Sequence, residues 1–313
     1  MNEVLQGPET RQDIEALLPG ETSILQLQRS LRKPRVLLSI FLSLLVTVLT
    51  VFALVPLFSV IFMLFYRGGS NLSASNFWSL PPAPFEEGGG FGNALVGTLV
   101  MVGVAGLISV PFGILAAVFL AELGPNSRTA TVVRFCAKVL SGFPSILAGV
   151  FAYGAVVMLM GGFSAWAGGV ALSILMLPIV MLTAEEAIRM VPSKMREASI
   201  GMGATHTQTV IRILLPTAMP SILTGVMLAI ARAAGETAPL LFTALFSNYW
   251  VVTNNQLDLH QPTASMAVLI YNFSGVPFEN QVQLCWSASL VLVLMVLVVN
   301  LAGKSFSVRT PQR

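Results

Sequence analysis

Residues 139–184 read VLSGFPSILAGVFAYGAVVMLMGGFSAWAGGVALSILMLPIVMLTA, without one Asp, Glu, Lys or Arg. The stretch is more than twice the ~20 residues that one helix needs to cross the hydrocarbon of a bilayer. Met160-Gly161-Gly162 offers a turn near its middle, so two membrane-crossing helices joined by a short loop follow. Outward from it, 36–66, 93–121, 237–257 and 280–303 are uncharged as well. Of 313 residues, 55% are hydrophobic and 10% charged, against roughly a quarter charged in a soluble domain. The helices of a soluble bundle carry a polar face that these runs lack. The sequence therefore predicts an all-α integral membrane protein with six transmembrane helices, near 36–66, 93–121, 135–160, 164–184, 216–246 and 282–303.

Charge sets the orientation. With the N-terminus in the cytoplasm, 15 of the 17 Lys and Arg fall on the cytoplasmic side; Arg67 alone falls outside, and Arg232 alone lies within a span. This bias predicts cytoplasmic N and C termini. The first apolar run follows a 35-residue polar segment with no small-residue cleavage pattern, so the first helix is expected to stay. The chain divides into a cytoplasmic segment 1–35, the first helix 36–66, an external loop 67–92, a core 93–303 with a cytoplasmic loop 185–215, and a tail 304–313. The basic cluster Arg29, Arg32, Lys33 and Arg35 is suited to anionic membrane lipid. Pro81-Pro82-Ala83-Pro84 marks the external loop as loop composition. Tyr249, Trp250, Tyr271 and Phe273 in 247–281 suggest an interfacial aromatic belt.

The loop 185–215 is too patterned for a passive turn. A helix is expected from Ser193, with Gly201 and Gly203 allowing positive φ at its end. A second is expected from Thr205 as cap to Leu215, where Pro216 interrupts it. Glu197-Ala198-Ser199, then Gly203, then Ile213-x-Leu215-Pro216 resembles the EAA loop of ABC importer membrane subunits, with Ser199 in place of the second alanine. The resemblance implies a coupling helix that docks in a cleft of a separate cytoplasmic ATPase, with Arg196 and Glu197 as charges that orient it on a polar partner.

Arg232 and Glu236 are the ionisable residues predicted inside the membrane, in ARAAGETAP over 231–239. A charge there costs at least about 2.5 kcal/mol on insertion scales and needs a partner or water. Spaced i, i+4, the two are able to neutralise each other. Gly235 and Pro239 loosen the backbone beside them, which suggests a kink lining a wet cavity. Arg232 stands 16 residues beyond Pro216, about 24 Å of helix, so a position near mid-membrane is expected. A guanidinium fork matches an oxyanion such as phosphate. Both structural pairing and a place on the cargo pathway stay open on this reading.

These residues, with Ser141-Gly142-Phe143-Pro144-Ser145-Ile146-Leu147-Ala148-Gly149, resemble the PstA-type phosphate ABC transporter permeases over about 93–303. Phe143 and Ala148 depart from the expected pattern. The resemblance implies an ABC importer permease (MetI-like) fold in the bacterial inner membrane. It implies a PstC-like sister permease, a PstB-like ATPase dimer that holds ATP-Mg, and a PstS-like external phosphate-binding protein. It also associates Arg232 and Glu236 with transport, and Pro144, Gly235 and Pro239 are read as helix kinks near the pathway. Sulfate, molybdate or phosphonate are alternative cargoes, and a proton-coupled secondary transporter using Glu236 is a further class.

Other readings fall away. Gly303-Lys304-Ser305 imitates the end of a phosphate loop, but Val298 stands where the first glycine is required. No catalytic constellation, cofactor site or nucleic-acid motif is visible, and His206 and His260 lack the neighbours of a metal site. Pro56, Pro111, Pro144 and Pro178 predict kinks in four spans, and Cys136 and Cys285 are expected to remain unpaired.

Overall fold

The computed structural model describes residues 34–253 and 256–309. By its internal contacts the chain separates into two units, 1–61 and 62–313. The first contains most of helix α1, Pro34–Met63, which runs through Pro56 without a break. The hydroxyls of Thr47 and Thr50 donate to the carbonyls of Ser43 and Val46, both at 2.8 Å. The two threonine hydroxyls of this apolar helix are thereby satisfied on its own backbone.

The second unit begins with the π turn Leu64–Gly68 that ends the first span. It continues with α2 (Gly92–Val118), α3 (Arg128–Gly142), α4 (Ser145–Ala152, prolonged to Met160), α5 (Ala165–Arg189), α6 (Ser193–Gly201) and α7 (His206–Thr209). Then come α8 (Leu215–Ala234), α9 (Ala238–Leu241), a hairpin of β1 (Val252–Thr253) and β2 (Gln256–Leu257), α10 (Met266–Ser274) and α11 (Glu279–Arg309). Five helical segments among the described residues are long and apolar enough to cross a membrane; the bent pair Arg128–Gly142 and Ser145–Met160 makes the sixth.

The core is a seam between α2, α5 and α8. Met101, Ala105, Leu172, Met176, Ile222 and Ala229 are fully buried in it. Small residues at this seam let the helices approach closely, as packing between membrane helices requires. A second cluster, including Phe91, Met266, Leu269 and Ala288, joins α2, α10 and α11.

Three expectations about the spans are corrected. The third span is not one helix over 135–160: it breaks at Phe143-Pro144, and the two halves meet at 106°. Pro144 cannot donate a backbone hydrogen bond, and it holds Phe143 in an extended conformation (ψ 144°). The fifth span does not run to 246, because α8 stops at Ala234 and Gly235 closes it. Pro216, by contrast, interrupts nothing: the helix is continuous over His206–Ala234. The π turn Val210–Leu214 widens the helix just ahead of the proline, where the ring needs room. Pro111 and Pro178 likewise lie inside unbroken helices.

The segment 247–281, read as an aromatic outer stretch, holds a helix that the sequence did not announce. Ser265 caps α10 by accepting from the Val268 amide, and Thr98 of α2 accepts from the Met266 amide at 2.8 Å. Tyr249 and Tyr271 are exposed, but Phe273 is buried against Phe246, so it belongs to the core and not to a belt. The loop over 67–92 is pinned to the start of α11. Asn280 donates to the carbonyls of Glu86 and Gly88, and Gln281 to that of Pro82.

Candidate functional site

Two regions gather the residues singled out by sequence. The first lies where α8 ends. Arg232 is in the last turn of α8, and Gly235 and Glu236 close it by donating to the carbonyls of Arg232 and Ala233. A cation in a last turn faces the carbonyl end of the helix dipole, which favours it. Arg232 Nε lies 3.4 Å from Glu236 Oε1, a long contact, and the Arg232 side chain is 44% exposed against 15% for Glu236. Among the described residues nothing else bonds the guanidinium, so its terminal nitrogens still present a fork. The pair is therefore only partly self-satisfied, and one arrangement serves both readings of it.

Gly235 and Pro239 mark a break and not a kink. After Gly235 the chain turns, and α9 begins with Pro239 in its first turn, where a missing N–H costs nothing. Pro239 is buried, and its backbone rests on Gly149 of α4. The two stretches flagged as distinctive, 141–149 and 231–239, thus meet in space. Pro144 lies at the start of α4, the helix that carries this contact.

The second region is the loop 185–215. α6 runs Ser193–Gly201, and Gly203 alone adopts a left-handed conformation, φ 87°; Gly201 stays helical. Thr205 opens the next helix with a capping box, accepting from the Gln208 amide while Gln208 Oε1 accepts from the Thr205 amide. Glu197 and Ala198 are exposed, as are Ile200 and Met202. Ser199 is buried, its hydroxyl 2.9 Å from that of Thr209. Arg196 turns inward, where Nη2 pairs with Glu122. Pro216 lies farther along, at the head of α8.

Behind this loop is a charged network that sequence reasoning missed. The π turn Phe119–Leu123 closes α2 and brings three arginines together. Arg134 of α3 donates Nε to Glu185 at 2.7 Å, Nη1 to the Pro125 carbonyl and Nη2 to the Leu120 carbonyl. Arg189 reaches the same Leu120 carbonyl and pairs with Glu185 at 2.8 Å. Arg196 takes Glu122. Both carboxylates are buried, and such charges persist only when paired. Glu122 and Glu185 sit at the charged margins of two apolar runs, a visible signal, but only the fold shows that they converge. No group of three His, Cys, Asp or Glu able to hold a metal occurs among the described residues.

Residues 109–310 match the model of a family described as the binding-protein-dependent transport system inner membrane component. The chain belongs to this family. It is a multi-pass protein of the bacterial inner membrane and a transport subunit; members of the family work with an ATPase and a substrate-binding protein. Among curated relatives, the phosphate transport system permease protein PstA of Yersinia pestis is 39% identical over 253 residues, covering 81% of this chain and 84% of that protein. The PstA of Haemophilus influenzae is 40% identical over 247 residues, covering 79% and 86%. At this similarity the chain is also a member of the PstA permeases.

Solved structures agree in fold. A MetNI methionine ABC transporter chain superposes with a TM-score of 0.59 at 20% identity, covering 77% of this chain and all of its own. A bacterial alginate ABC transporter chain gives 0.61 at 16% identity, covering 87% and 95%. The permease fold is thus shared well beyond the reach of sequence.

Proposed function

We propose that this permease forms, with a PstC-like sister permease, the membrane passage of a phosphate importer driven by a PstB-like ATPase dimer that binds ATP-Mg. In this reading a PstS-like external protein delivers phosphate, and both termini of the permease lie in the cytoplasm. The observation that carries the reading is the pairing of an exposed glycine-turned helix, α6, with a half-free guanidinium, Arg232, in a chain about 40% identical to phosphate permeases.

The chemistry is alternating access. ATP closes the ATPases, and their clefts draw α6 and its counterpart together through Glu197, Ala198 and the exposed Ile200 and Met202. The passage opens outward, and phosphate enters toward Arg232. Glu236, close but at a long 3.4 Å, holds the guanidinium until phosphate oxygens compete for it. A bidentate grip on phosphate follows from the planar fork. Return of the ATPases to the open state resets the passage inward.

The test is reconstitution of the complete complex in liposomes with labelled phosphate. The expectation is uptake that requires ATP and the external binding protein, and that excess sulfate, molybdate or phosphonate leaves intact. Uptake driven by a proton gradient without ATP would refute the proposal, and preference for another oxyanion would refute the cargo.

A further inference from the structure

The left-handed turn at Gly203 separates α6 from α7, and a glycine there would by itself be a free joint. One contact bridges it. Within the loop, Ser199 and Thr209 join hydroxyls across the turn at 2.9 Å, and both residues are buried. From outside the loop, Glu122 of the π turn lies beside the same joint. Its Oε1 pairs with Arg196 ahead of the turn, and its Oε2 lies 4.0 Å from His206 Nε2 beyond it.

The two inward arginine grips differ. Arg134 commits Nε, Nη1 and Nη2 to three separate acceptors. Arg196 holds Glu122 through Nη2, while its Nε is buried with no partner among the described residues. Arg134 is therefore a fixed brace between α2, α3 and α5, whereas the link from α6 to α2 hangs on one carboxylate.

We infer that Glu122 is a positioning residue of the coupling loop, tying α6 through Arg196 to the end of α2 and passing displacement of α6 directly into α2. The inference rests on the proposed function above. Without Glu122, the Ser199–Thr209 contact still holds α6 to α7, but the ion pair that ties α6 to the end of α2 is gone, and a pull on α6 moves the loop without loading α2. With Glu122 gripping Arg196, the same pull loads α2, which packs along α5 through the core. The Glu122 side chain is buried and acts through Arg196.

The experiment compares Glu122→Gln and Arg196→Gln with wild type in the reconstituted complex, reading ATP hydrolysed and labelled phosphate imported in the same vesicles. The expected result is that phosphate moved per ATP falls by about threefold to thirtyfold in both, the range of coupling changes seen for such contacts. An unchanged ratio in either variant overturns the inference, including the case where less protein folds but what folds transports with normal stoichiometry. Failure of the wild-type complex to bind an ATPase or import phosphate would instead sink the proposed function.

Discussion

Gly149 of α4 and Pro239 of α9 are in backbone contact: a Cβ built on Gly149 would stand 2.6 Å from Pro239 Cα. The atoms it meets are main chain and cannot rotate aside. Gly149→Ala should therefore separate α4 from α9 at a cost of about 1–3 kcal/mol, the usual penalty of overpacking. Phosphate uptake in vesicles should fall, while Gly154→Ala, where a Cβ meets nothing within 4 Å, should leave it near wild type. Equal uptake by the two variants would mean that the contact is immaterial.

Arg232→Lys keeps the charge and loses the fork. If the guanidinium grips phosphate with two parallel bonds, uptake should drop roughly tenfold or more, the worth of one charge-assisted hydrogen bond. Wild-type rates in this variant would leave Arg232 as a partner of Glu236 alone.

Glu185 is the buried hinge pin of two arginines, at 2.7 and 2.8 Å. Glu185→Ala takes away the counter-charge of Arg134, whose side chain is only 21% exposed, and leaves it two neutral carbonyls. A loss of about 3–5 kcal/mol is expected for breaking such a pair. Thermal unfolding of the detergent-purified protein should show it as a clearly lowered midpoint, and an unshifted curve would contradict the assigned burial.

Ser199→Ala removes the hydroxyl bridge across the Gly203 turn, but Thr209 keeps a bond from its hydroxyl to the Thr205 carbonyl. No buried polar atom is stranded, so the cost should be only about 1 kcal/mol. This accounts physically for the resemblance of 197–199 to a pattern in which alanine stands at that position. A midpoint shift as large as that of Glu185→Ala would show that the bridge does more than this geometry implies.

Cysteine placed at Ala198, which is exposed on α6, should cross-link to the ATPase of the assembled complex. Cross-links found only to the sister permease or to lipid would remove α6 from its coupling role.

By itself the sequence determined that the chain lives in a membrane and crosses it with about six helices, because uncharged runs of that length have no other stable solvent. It also marked 193–203 as a glycine-turned helix, since Gly203 is read locally by its backbone freedom. Tertiary structure decided where helices stop and which charges meet. Pro144 breaks its helix while Pro111, Pro178 and Pro216 do not, a distinction that proline by itself does not encode. The first amide of α10 is satisfied by Thr98, over 160 residues away in the chain. The convergence of Arg134, Arg189 and Arg196 on one π turn of α2 joins residues far apart in sequence, and no local pattern encodes a distance that only folding creates.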